Sequence, residues 1–127
     1  MRGVFFATAT ILALVLGACA APAGQTGVAP AGGAKEIKVT ASEFKFSPSA
    51  VDVPAGVAIK LELKNIGTVE HDFVVDALKV KVQAGAAKTV SQTIGPLAAG
   101  TYDLYCAVPG HKEAGMIGKV VVRWAAV

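Results

Sequence analysis

Residues 105–116, YCAVPGHKEAGM, place Cys106, His111 and Met116 at equal intervals of five. A thiol, an imidazole and a thioether all have metal-binding chemistry, and here they share one stretch broken by Pro109 and Gly110. The only other histidine, His71, opens the run HDFVV 35 residues before Cys106. Each residue alone has an ordinary explanation, since a histidine beside a strand is usually surface or satisfied core and a methionine usually fills core space. The combination is what points to a ligand set. One thiolate and two imidazoles make a trigonal site of intermediate softness with a weak axial thioether, the donor set of copper electron-transfer sites. Structural zinc prefers four strong donors, and thioether is a poor one. The C-x-x-C-H needed for c-type haem attachment is absent. A Cys106–His111 nucleophile pair is conceivable on paper, but it has no evident orienting third group or oxyanion site.

Elements must hold these residues in place. Val57, Ile59, Leu61 and Leu63 alternate with Ala58, Lys60, Glu62 and Lys64, which predicts a half-buried strand. Ile37 and Val39 alternate in the same way, as do Val80 and Val82, while Val90, Thr93 and Ile94 fit less cleanly. The run KVVVR at 119–123 suits a core strand. Turn residues separate these runs at Ser47-Pro48, Pro54-Ala55-Gly56, Asn65-Ile66-Gly67, Gly95-Pro96 and Ala99-Gly100, and no amphipathic helix stands out. The pattern predicts an all-β Greek-key β-sandwich of about seven or eight strands with antiparallel or mixed pairing. Tyr102, at a strand start four residues before Cys106, is placed like a tyrosine corner, whose hydroxyl ties a strand to its preceding loop.

The 127 residues suffice for one domain with one core. A net charge of +3, without a basic stripe interleaved with aromatics, argues against nucleic acid as a partner. The first 18 residues read as a secretory leader, with Arg2 followed by a 13-residue uncharged and mostly apolar run at 4–16, too short to span a bilayer comfortably. Leu16-Gly17-Ala18-Cys19 resembles a bacterial lipobox, in which Cys19 becomes the first mature residue and carries several acyl chains, enough for stable anchoring. Residues 19–34 hold Ala, Gly, Pro and a few small polar residues without charge, a tether with an average reach of roughly 20 Å. Residues 35–127 form the folded domain. Export implies an oxidising compartment. With Cys19 blocked by lipid, Cys106 would be a lone thiol there, and a bound metal would protect it.

From about Glu36 to Val127 the chain resembles the cupredoxins, the plastocyanin/azurin superfamily of blue copper proteins, and in particular their auracyanin-like, membrane-tethered members. The resemblance rests on Asn65, Gly67 and His71 in an N-x-G-x-x-x-H context, on G-T-Y-x-x-Y-C ending at Cys106, and on C-x-x-P-G-H-x-x-x-x-M ending at Met116. It implies His71, Cys106 and His111 as equatorial ligands of one copper ion and Met116 as the axial ligand. It further implies that the backbone N–H groups of Asp72 and Val108 face the Cys106 sulfur, whereas Pro109 has no N–H to add. The electron-transfer and docking patch would be the edge of His111 ringed by Val108, Pro109, Gly110 and Ala114, with Tyr105 marking a second route. Asp72 stands where many relatives have Asn or Ser, so its carboxylate is expected to point away and to accept backbone N–H bonds between the ligand loops. Glu70 replaces the glycine that precedes the first histidine in azurin, which implies four ligands and not five.

The function so implied is a monomeric one-electron carrier, not an enzyme. It would work outside the cytoplasm on a lipid anchor, between redox partners such as a cytochrome or a membrane oxidoreductase. The alternatives are a copper-storage or delivery protein, for which more thioethers would be expected, and a purely structural or adhesive sandwich.

Overall fold

The computed structural model describes residues 33–126. The leader, Cys19 and all of the tether except its last two residues lie outside the described residues. Nine strands follow one another: β1 (Lys35–Ser42), β2 (Lys45–Ser47), β3 (Ala50–Pro54), β4 (Ile59–Asn65), β5 (His71–Val75), β6 (Val80–Ala84), β7 (Thr89–Ile94), β8 (Gly100–Tyr105) and β9 (Ile117–Arg123). A single 3-10 turn at Asp76–Leu78 is the one helical element among the described residues. The strands form two sheets, ordered β2-β1-β4-β7 and β3-β9-β8-β5-β6.

Pairing is mixed, with β1 parallel to β4 and β3 parallel to β9, and the remaining pairs antiparallel. The two strands beyond the seven signalled by sequence runs are β2 and β3. In β3 the buried Val51 and Val53 alternate with Asp52, but Pro54 sits in the same five residues and reads as a turn signal. A proline is tolerated there because β3 is an edge strand, with one neighbour to satisfy. Val57 does not open β4 as expected. It is 45% exposed in the turn before it, and the inward alternation begins at Ile59.

The core lies between the sheets. Ile59, Leu61 and Leu63 of β4 and Val39 of β1 face Phe73 and Val75 of β5, Leu104 of β8 and Val120 and Val122 of β9, all at 4% exposure or less. Phe46 of β2 closes one side edge-on to Phe73, with ring centroids 6.0 Å apart. Where β9 passes β3, Gly118 is required by space: a Cβ there would collide with the Ser49 carbonyl, which accepts the Lys119 N–H at 2.8 Å. The tyrosine corner forms as predicted, with the Tyr102 hydroxyl donating to the Ala98 carbonyl at 2.9 Å.

Candidate metal centre

Three strand ends and one loop build a site at one pole of the sandwich. Cys106 follows the last residue of β8, Met116 precedes the first residue of β9, and the nine-residue loop between them is folded by its own backbone. Cys106 N–H donates to the Met116 carbonyl at 3.1 Å, Met116 N–H to the His111 carbonyl at 2.9 Å, and His111 N–H to the Val108 carbonyl at 3.0 Å. Gly110 and Gly115 take the left-handed conformation (φ 82° and 100°) that these successive turns need and that a side chain would disfavour. The equal spacing of the three residues in sequence thus becomes one hydrogen-bonded knot.

His71 enters from β5. Its side chain lies on the same strand face as Phe73 and Val75, because alternate residues of a strand share a face, and so it points into the core side of the sheet. The preceding loop is fixed by Asn65, 2% exposed at the end of β4. The Asn65 side-chain amide donates to the carbonyls of Val69 (2.7 Å), Ala84 (2.9 Å) and Gly85 (3.1 Å), and its oxygen accepts the Gly67 N–H at 2.8 Å. The Glu43 carboxylate, in the β1–β2 turn, adds a tie by accepting the backbone N–H and hydroxyl of Thr68.

One donor atom from each of His71, Cys106 and His111 lies within 4.8 Å of the others, and all three residues are buried. The Cys106 sulfur is 3.5 Å from His111 Nδ1, and the two imidazole centroids are 5.0 Å apart. Met116 and Cys106 are fully buried at 0% exposure, and His111 reaches the surface with 8%. Neither ring nitrogen of His71 has a hydrogen-bond partner. Buried polar atoms are nearly always paired, so an imidazole with two bare nitrogens beside a thiol and a second imidazole is a set that a metal ion completes. Burial, followed by the neighbouring His111 charge, pushes the His71 pKa below the ordinary histidine range, which favours the neutral imidazole that can ligate. The donor types suit one type 1 copper ion.

Of the two amides expected to face the sulfur, that of Asp72 does so, at 3.3 Å. Among the described residues no such bond comes from Val108, whose carbonyl accepts from His111. The Asp72 side chain does point away from the ligands, because the strand period sends it to the opposite face of β5 from His71. It does not bind backbone N–H groups there, however: it is 3% exposed, Oδ1 has no partner and Oδ2 lies 3.8 Å from Lys81 Nζ. Glu70 turns towards β6, accepting the Gln83 side-chain amide at 2.6 Å. Around the emerging edge of His111, Val108 is half-buried while Pro109, Gly110 and Ala114 are exposed. The Tyr105 hydroxyl donates to Asp76 at 2.9 Å, and the Lys112 ammonium sits 4.5 Å from its ring centroid.

Phe44 is the site neighbour that sequence reasoning missed. Its ring stands edge-on to His111, with centroids 5.3 Å apart and planes at 83°, while remaining 46% exposed. It occupies a left-handed backbone position (φ 62°) in the β1–β2 turn, an uncommon state for an aromatic residue. The signal was faint: Phe44 and Phe46 flank Lys45 in a short run with no obvious link to the copper loop.

The chain matches the cupredoxin-like domain family over residues 7–122. It is 32% identical over 123 residues to the copper-resistant cuproprotein CopI of Rubrivivax gelatinosus, covering 80% of this chain and 74% of that protein. Among solved structures, auracyanin B superposes with a TM-score of 0.62 at 25% identity, covering 71% of this chain and 89% of auracyanin B. Auracyanin A of Chloroflexus aurantiacus, described as a "blue" copper protein, superposes with a TM-score of 0.60 at 25% identity over 72% of this chain and all of its own (100%).

Proposed function

Since the chain belongs to the cupredoxin-like family, we propose that it carries single electrons on one type 1 copper ion held by His71, Cys106, His111 and Met116. The observation that carries this reading is the convergence of the three buried donor atoms within 4.8 Å, with both His71 nitrogens unpaired. Copper supplies the Cu(I)/Cu(II) couple when bound, so that one electron is gained from a donor and one lost to an acceptor. The chain's task is to keep the ligands where they are in both states. The hydrogen-bonded loop and the Asn65 tie do that by leaving little freedom at either ligand-bearing segment. The Asp72 N–H withdraws charge from the sulfur through its hydrogen bond and so favours the reduced state.

The reading is of a carrier and not an enzyme. Cys106 is fully buried, so no substrate carbonyl can reach its sulfur, and only the His111 edge meets solvent. Around that edge Phe44, Pro109 and Ala114 offer an apolar surface. Docking to a cytochrome or membrane oxidoreductase would therefore depend on apolar contact with modest sensitivity to salt. The leader and lipobox-like residues support a position outside the cytoplasm on a lipid at Cys19, which mass spectrometry of the native N-terminus tests.

The visible spectrum of the copper-loaded protein is the direct test: an intense thiolate-to-copper charge-transfer band with a reversible one-electron couple is expected, and a colourless adduct would sink the carrier reading. The likeness to CopI, whose name refers to copper resistance, favours copper handling, with delivery of the metal to another protein, as a second reading. Copper withdrawal by an excess of chelator separates the two, because a carrier with this buried site retains its metal whereas a delivery protein yields it readily. Met116→Leu is expected to keep copper and colour but to raise the reduction potential, since loss of the thioether donor disfavours Cu(II) more than Cu(I). Loss of the metal in that variant would show that Met116 is a principal ligand and not a tuning one.

A further inference from the structure

The pole opposite the metal site is built differently from the rest of the surface. Three loops meet there, residues 55–58, 95–99 and 124–126, and none contains a charged side chain. Backbone bonds tie them together: Gly56 N–H donates to the Leu97 carbonyl at 3.1 Å and Ala55 N–H to the Arg123 carbonyl at 2.9 Å. Trp124, the only tryptophan of the chain, lies over Gly56 so closely that a Cβ there would fall 2.7 Å from its ring. The rest of that ring is open, 69% exposed, and Val57 beside Gly56 is 45% exposed. A patch of this kind usually has something to cover it.

The entry point of the chain indicates the cover. Lys35 N–H donates to the Ala58 carbonyl at 3.2 Å, so β1 starts at this same pole and the preceding segment must leave from it. That segment contains the uncharged run at 20–34 and the apolar run at 4–16. The nearest charges include the two cations Lys35 and Arg123, the latter paired with Asp52. An amphipathic tryptophan, small apolar loops and flanking cations are what seats in a lipid headgroup region. We infer that the Trp124 pole is a membrane-contact face, resting on the bilayer to which the N-terminal segment ties the protein. β9 (Ile117–Arg123) spans about 20 Å at ~3.3 Å per residue between the metal site and the Trp124 pole, so this orientation aims His111 away from the lipid and towards partners.

This goes beyond the anchored-carrier reading, and its test separates the two. The full chain, produced with its own leader, is mixed with phosphatidylcholine–phosphatidylglycerol vesicles, with and without lipid brominated near the headgroup end of the acyl chains. Sedimentation reports anchoring, and Trp124 emission reports the pole. The expected result is sedimentation with a blue-shifted emission that brominated lipid quenches, and loss of that quenching, with sedimentation kept, in Val57→Asp. Sedimentation with unshifted, unquenched emission overturns the contact face and leaves the anchor standing. Failure to sediment overturns both. A blue shift that grows with protein concentration in the absence of lipid assigns the patch to a second copy of the chain, and likewise overturns it.

Discussion

Cys106→Ser abolishes the charge-transfer band of the copper protein and leaves a sandwich that still folds. The band requires a thiolate, and a serine hydroxyl neither ionises near neutral pH nor supplies a soft donor. The fold is insulated from the change because the core is made by β4, β5, β8 and β9 side chains that do not depend on the sulfur. Serine is also similar in size and can accept the same hydrogen bond from the Asp72 N–H, so the stability cost is about 1 kcal/mol, within the ordinary range for a single substitution. Copper titration followed by visible absorption, with a denaturant curve on the metal-free variant, reads both halves. A surviving band would remove Cys106 from the site.

Asn65→Ala should be strongly damaging although it touches no ligand. The amide closes three carbonyls and one N–H, from Val69, Ala84, Gly85 and Gly67, and the residue is nearly fully buried. Alanine takes one partner from each of those groups, of which the Gly85 carbonyl keeps a second bond, from the Lys88 N–H, at a position where water does not readily enter. A loss of about 2–4 kcal/mol is expected, from 1–3 kcal/mol for a buried group left unsatisfied and the partial relaxation of several together. Because the same bonds hold the segment leading to His71, copper affinity should fall as well, whereas a purely global destabilisation would leave the affinity of the still-folded fraction unchanged. Denaturant unfolding of the metal-free protein together with a copper competition titration distinguishes these outcomes.

How far these features could be read from the sequence depended on distance along the chain. Cys106, His111 and Met116 were legible because one loop holds all three and its Pro and Gly residues announce the turns. His71 was legible only through its strand run and its family context, since nothing local links it to a loop 35 residues later. The Asn65 motif was visible, but its four bonds were not, because two of the partners belong to the end of β6 and the loop after it. Alternation identified the faces of β1 and β4 without revealing that they run parallel, because a period of two states which side is buried and not which strand lies alongside. Phe44 and Glu43 were missed for a related reason. A hairpin turn brings them to the site, and neither the turn's left-handed backbone nor its neighbour is encoded in the spacing of the ligands. The half-paired carboxylate of Asp72, with Oδ1 bare and Oδ2 beside Lys81, could not be anticipated either, since its burial comes from packing on the outer face of β5.

The backbone bond from Cys106 to the Met116 carbonyl also bears on the order of events during folding. It closes the nine-residue loop between Cys106 and Met116 that joins the paired strands β8 and β9, a short-range closure that costs little chain entropy and forms early. His71 arrives only when β5 docks beside β8, through the single register pair Val74 and Tyr105, which is a long-range contact and a slow one. The folding chain therefore offers a metal three donors from a hairpin before His71 is brought beside them. The complete coordination set appears only with the sandwich itself, so that tight copper capture follows folding instead of directing it.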